Sequence, residues 1–196
     1  SFEKNSLIIT SSGAKSRGWL DYLNIKDFQI FDSVEPNPSM ETVEKILSEY
    51  NQTFSSVIGL GGGSSLDVAK FVANKLKTKK ILIPTTFGSG SEVTRISVLQ
   101  IDGKKTSFHN NDLFADISIV DPYFIKGAPF EIIKNSAIDA CAQATEAYDS
   151  KLTNSYTKLL CEKAFDILEN SILNQKYEQL PLGSLICGLG FGNSST

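Results

Sequence analysis

The residues of this 196-residue chain best suited to chemistry are three consecutive glycines rather than an acid, base or nucleophile. Gly61-Gly62-Gly63 lies in Gly59-Leu60-Gly61-Gly62-Gly63-Ser64-Ser65-Leu66-Asp67-Val68-Ala69-Lys70, behind the apolar pair Val57-Ile58. Leu66, Ala69, Val72, Ala73 and Leu76 follow at helical spacing, so the stretch reads as strand, glycine turn and helix start. Glycines admit positive φ and close approach of a ligand, and a helix start offers unpaired N–H groups at the positive end of its dipole. That combination suits a phosphate. A plain helix cap is the alternative, with Ser64 as N-cap and Asp67 three residues on. A cap does not need three glycines.

A second cluster, Pro84-Thr85-Thr86-Phe87-Gly88-Ser89-Gly90-Ser91-Glu92, follows the apolar run Ile81-Leu82-Ile83, and ligands of open α/β sheets gather at carboxyl ends of strands. His109 is the only histidine and reads as an ordinary polar residue. Cys141, Cys161 and Cys187 are odd in number and widely spaced, which fits reduced thiols of a cytoplasmic protein. No G-x-x-x-x-G-K-[ST] occurs, which argues against a P-loop NTPase, and Gly59-x-Gly61-x-x-Ser64 lacks the last glycine of G-x-G-x-x-G.

The elements that would position these residues alternate. Leu7-Ile8-Ile9 and Phe28–Phe31 predict strands, with a helix around Trp19, Leu20 and Leu23 between them. Glu35-Pro36-Asn37-Pro38-Ser39 predicts an extended loop ending in a cap for an amphipathic helix over Met40–Tyr50. Strands over Val57–Leu60 and Ile81–Ile83 flank the helix behind the glycine turn. Ile96–Ile101, the turn Asp102-Gly103 and the run to Phe108 predict a hairpin, and Ile117–Val120 a last strand. The alternation indicates an α/β fold, a doubly wound parallel sheet. From Pro129 the pattern is helical, over Ile132–Tyr148, Tyr156–Ile172 and Tyr177 to about Leu189, so a boundary is placed near Lys126-Gly127-Ala128.

A net charge of −3 gives no electrostatic reason to expect nucleic acid or a membrane surface as partner, and no apolar run approaches the roughly 18 residues that span a bilayer. The chain starts without Met and stops just after an apolar, glycine-rich segment, so a fragment is expected. Were Thr196 the true end, the surface around Leu185, Ile186 and Phe191 would need a partner, such as a second copy in a homodimer.

Four stretches in order, Val34–Pro38, Gly61–Lys70, Pro84–Thr94 and Ile138–Tyr148, closely resemble the iron-containing (group III) alcohol dehydrogenase family. The resemblance runs from about Leu7 to Asn193, and the segment Asp139–Ser155 is most similar to the phosphonoacetaldehyde-reductase-like members. It implies a Rossmann-like, dehydroquinate-synthase-like dinucleotide domain over residues 1–127, followed over 128–196 by the first helices of an all-α metal domain. It also implies pyrophosphate at Gly62, Gly63 and Ser64, with Asp67 an acidic residue in that helix's first turn. Thr85 and Thr86 match cofactor-contacting hydroxyls, Asn37 lies near the adenosine half, and Lys105 matches a cofactor-contacting lysine. Locally these residues also read as turn hydroxyls, an Asx-turn residue and a solvated charge. Ser11 stands where many members carry an aspartate that repels a 2′-phosphate, so NADP is admitted beside NAD.

In the family an aspartate and a histidine four residues later bind Fe²⁺ or Zn²⁺ from one helix face. Here Asp139 is followed by Gln143, a weak neutral ligand, and the chain stops before two further ligand histidines. The expected function is an NAD(P)-dependent alcohol dehydrogenase or aldehyde reductase acting on a small alcohol or aldehyde. Two alternatives stand beside it: a degenerate or truncated nucleotide-binding relative without catalytic metal, and a dehydroquinate-synthase-like lyase.

Overall fold

The computed structural model describes residues 4–194. In chain order the elements begin with β1 (Ser6–Thr10), the short helices α1 (Gly13–Ser16) and α2 (Trp19–Leu23), β2 (Phe28–Phe31) and α3 (Met40–Glu49). β3 (Ser56–Gly61), α4 (Gly63–Leu76) and β4 (Lys79–Pro84) follow, then the hairpin β5 (Ile96–Ile101) and β6 (Lys104–His109) and the short β7 (Ile117–Ser118). Three long helices close the chain: α5 (Phe130–Asp149), α6 (Ser155–Leu173) and α7 (Leu180–Phe191).

The chain divides into two compact units. One runs to Pro84 and resumes over Arg95–Ile119; the other comprises Thr85–Thr94 and the chain from Val120 onward. The division thus falls eight residues before the sequence-based boundary at 127/128, and the loop after β4 belongs with the helices. Asp121 explains the earlier break: its Oδ1 accepts from the Tyr123 N–H at 2.8 Å and starts a 3₁₀ turn over Pro122–Ile125 that already packs with the helical unit.

In the first unit five parallel strands take the order β2-β1-β3-β4-β7. Leu7, Ile9, Val57 and Leu82 pack against Val43 and Ile46 of α3 and Leu66, Ala69, Val72 and Ala73 of α4. The alternate residues Ile8, Ile58, Leu60, Ile81 and Ile83 are buried as well, the reason these strands read as unbroken apolar runs. Each fully closed Leu or Ile contributes about 2 kcal/mol of transfer free energy. Ser39 caps α3 as expected, its Oγ accepting from the Thr42 N–H at 3.4 Å.

Two local expectations are corrected. Ser64 is not the N-cap of α4: the Gly62 carbonyl already accepts from Ser65 N–H (2.9 Å) and Leu66 N–H (3.2 Å), so Gly62 occupies that position without a side-chain cap. β7 covers Ile117–Ser118 rather than Ile117–Val120, because it pairs with β4 only through Ile81 and Leu82 before Asp121-Pro122 turns the chain away.

In the helical unit α5 presents Ala137, Ala140, Ala144 and Ala147 to its neighbours, small side chains at helical spacing that let α7 approach its backbone. Cys187 Sγ donates to the Ala140 carbonyl at 3.1 Å.

Candidate functional site

β1 runs on to β2 on one side of the sheet and β3 to β4 on the other, so the strand order reverses between β1 and β3. In open α/β sheets ligands bind outside the carboxyl ends of the strands at such a reversal. Thr10 pairs with Leu60, and its Oγ1 donates to the Leu60 carbonyl at 2.6 Å, fastening the two strands at their carboxyl ends. Ser11 therefore leaves β1 level with the start of the glycine turn.

Gly61 has φ +155°, and a Cβ built there would lie 2.7 Å from Ser65 Oγ and 2.8 Å from Ser65 Cβ. Only glycine fits. Gly62 is extended, α4 starts at Gly63 without a side-chain cap, and its first turn holds no acidic residue. Gly62, Gly63 and Ser64 stay partly accessible while Ser65 onward is buried. An uncapped 14-residue helix with no carboxylate at its start suits an anion at Gly62, Gly63 and Ser64.

Asp67 does not lie in the first turn of α4 as expected. It lies in the second and is 8% exposed; its Oδ2 accepts from the Val98 N–H of β5 at 2.9 Å. Asn37 is exposed with φ +53°, in a loop held by Glu35, whose Oε1 accepts from Ser39 N–H at 3.1 Å and from Thr42 Oγ1–H. The Pro38 carbonyl accepts from Gln100 N–H at 2.8 Å, and Gln100 pairs across the hairpin with the exposed Lys105. The structure thus brings Asn37 and Lys105 to either side of Gln100. His109 is exposed at the end of β6.

In the helical unit Thr85 is buried and Thr86 partly so. The loop they open packs on α5: a Cβ on Gly88 would lie 2.7 Å from the Ser136 carbonyl and 3.1 Å from Asp139 Oδ2. The Thr85–Thr94 loop and Asp139 are therefore neighbours. Burial pushes the Cys187 thiol up to about 12, with the charges of Asp139 and Glu92 adding to it, so this cysteine is a packing group. A cleft of about 300 Å³ between α5 and α6, lined by Tyr148, Glu162, Phe165 and Asp166 among others, contains none of the predicted site residues.

The sequence profile of the iron-containing alcohol dehydrogenases matches residues 1–122. The chain belongs to the iron-containing alcohol dehydrogenase family. It is 31% identical over 186 residues to the 4-hydroxybutyrate dehydrogenase of Clostridium kluyveri, covering 80% of this chain and 50% of that one. With long-chain-alcohol dehydrogenase 1 of Geobacillus thermodenitrificans the identity is 33%, over 84% of this chain and 49% of the other. An iron-containing alcohol dehydrogenase from Thermotoga maritima superposes with a TM-score of 0.91 at 29% identity, over 99% of this chain and 63% of that structure. The chain spans about half the length of the curated relatives it matches.

An iron-containing alcohol dehydrogenase implies a metal, and the donors on α5 do not make a centre for one. Asp139 is exposed. Gln143, one turn on, offers a neutral Oε1 that is shielded from solvent and has no hydrogen-bond partner. Among the described residues no group of three or more His, Cys, Asp or Glu could hold an ion.

Two residues of the first unit carry contacts that the motifs alone did not reveal. Thr10 stitches β1 to β3, and Lys70, with no exposed surface, donates from Nζ to the Ile96 carbonyl at 2.7 Å. The available signal for Lys70 was a lysine set inside an otherwise apolar helical segment.

Proposed function

We propose that this chain binds a nicotinamide dinucleotide and forms the cofactor-binding part of an NAD(P)-dependent alcohol dehydrogenase or aldehyde reductase acting on small alcohols or aldehydes. The observation that carries this reading is the uncapped start of α4 behind Gly61, set at the β1/β3 reversal of the sheet. Bound there, the nicotinamide supplies or accepts hydride. Gly62, Gly63 and Ser64 hold the pyrophosphate through backbone N–H groups, and the Asn37 loop and Lys105 take the adenosine half. Thr85 and Thr86 offer hydroxyls to the cofactor.

Ser11 brings no carboxylate to this end of the sheet, which favours acceptance of a 2′-phosphate and hence NADP beside NAD. The two relatives described above are dehydrogenases by name, which counts against the lyase alternative. Asp139 and Gln143 alone are too few donors for a metal-assisted step. Three free thiols accord with a cytoplasmic location. Light scattering reads whether the chain pairs as a homodimer.

The test is a fluorescence titration of the chain with NADPH and NADH, followed by aldehyde reduction with Fe²⁺ or Zn²⁺ added. Saturable binding of at least one dinucleotide is expected. Binding of neither overturns the reading.

A further inference from the structure

Lys70 is among the largest fully buried side chains of the described residues, and its amine forms an ion pair with Asp67. Stripping an ammonium group of water costs several kcal/mol even after relaxation, so its partners must be well placed. The Ile96 carbonyl lies 2.7 Å from Nζ and Asp67 Oδ1 lies 3.9 Å away. Asp67, one turn earlier on α4, meets the next residues of the same strand: its carbonyl accepts from Ser97 Oγ–H at 2.9 Å, and its Oδ2 from Val98 N–H at 2.9 Å. Three successive residues of β5 are thus bonded to two residues of the helix that starts at the glycine turn. Phe71 adds an edge-to-face contact with Phe108 of β6, ring centroids 4.8 Å apart.

The far end of β5 is tied elsewhere. Gln100 N–H donates to the Pro38 carbonyl, next to Asn37, and Lys105 faces Gln100 across the hairpin. α4 therefore fixes the hairpin, and the hairpin fixes the Asn37 loop.

We propose that Asp67 and Lys70 are positioning residues for the dinucleotide: they set the distance between the pyrophosphate turn at the start of α4 and the Asn37/Lys105 surface, without touching the ligand. This role presupposes dinucleotide binding at the glycine turn, as read above. A charged pair is suited to it because its bonds are directional, whereas an apolar contact of equal volume lets the hairpin slide.

The test compares the wild-type chain with Lys70→Met, Lys70→Arg and Ser97→Ala. Binding of NADPH, ADP-ribose and inorganic pyrophosphate is measured by calorimetry, and amide exchange at Val98 and Gln100 by NMR. Lys70→Met is expected to weaken NADPH and ADP-ribose about tenfold, the scale of one charge-assisted hydrogen bond, and Ser97→Ala about threefold, the scale of a neutral one, while pyrophosphate changes by less than about twofold. Exchange at both amides speeds up, and Lys70→Arg restores most of the affinity. Should Lys70→Met fail to fold, Asp67→Asn, measured in the same way, decides, since it keeps the shape of the side chain and removes only its charge.

Unchanged exchange at Val98 and Gln100, or unchanged NADPH affinity, overturns the proposal. So does a parallel loss of pyrophosphate binding, which would put the effect in the turn itself. A wild-type chain that binds no dinucleotide fails at the earlier step and removes the functional reading along with this one.

Discussion

A methyl group added to Gly61 would meet Ser65 at 2.7–2.8 Å, on a backbone with φ +155°, where side chains are strained. Gly61→Ala is therefore expected to lower stability by about 1–2 kcal/mol and NADPH affinity roughly tenfold, read by thermal melts and fluorescence titration. Ser11 offers a second residue-scale test. A carboxylate just after β1 would repel a 2′-phosphate, so Ser11→Asp should shift the NADPH-to-NADH affinity ratio towards NADH by roughly tenfold. An unchanged ratio would remove Ser11 from the adenosine end of the site. Gln143 is the third. Its shielded carbonyl finds no partner, and an imidazole in its place would share a helix face with Asp139 at i, i+4 spacing. Gln143→His should raise Zn²⁺ affinity by about tenfold or more in competition with a chromophoric chelator, and no rise would mean that this helix face is not arranged for a metal.

At the scale of elements, the loop that carries Asn37 depends on one carboxylate. Partial burial pushes Glu35 up, but the Thr42 hydroxyl and the N–H groups of Glu35 and Ser39 more than reverse this and hold it below its ordinary value of 4.5. A group whose folded-state value is lowered stabilises the fold fully above its unfolded value and loses that contribution as pH falls through the folded one. Melting of wild type and Glu35→Gln between pH 6 and 3 should thus differ by a constant amount above about pH 4.5 and converge below it. Convergence at higher pH would locate the charge effect elsewhere.

The elements themselves were largely legible: apolar runs marked the buried strands, Asp102-Gly103 marked a hairpin turn with both φ positive, and Ser39 marked a helix start. What escaped was tertiary. Nothing local tells that Asp67 turns towards β5 instead of the phosphate end, that Lys70 is fully enclosed, or that the loop after β4 associates with the helices, because each depends on partners 25 or more residues away.

For the molecule as a whole, strand order matters more than strand length. The parallel order places the glycine turn centrally and leaves β2 and β7 as edges. β7 has only two paired residues, joined to β4 across a long intervening stretch, and Ile119 N–H adds one bond to the Leu82 carbonyl. Amide exchange at Ile119 should therefore be faster than at Ile58 or Leu82 in the sheet centre by at least about tenfold, measured at one pH by NMR. Equal protection would mean that the edge opens only with the whole sheet. The hairpin is attached differently from every other strand, by side chains of α4 and through Gln100, and its tip at Asp102-Gly103 is exposed with open space around Gly103. That makes the tip a graft point: a short peptide or a dye-bearing loop inserted there would leave the five-stranded ladder uncut, and would ride on the part of the molecule proposed to sense the adenosine end of the ligand.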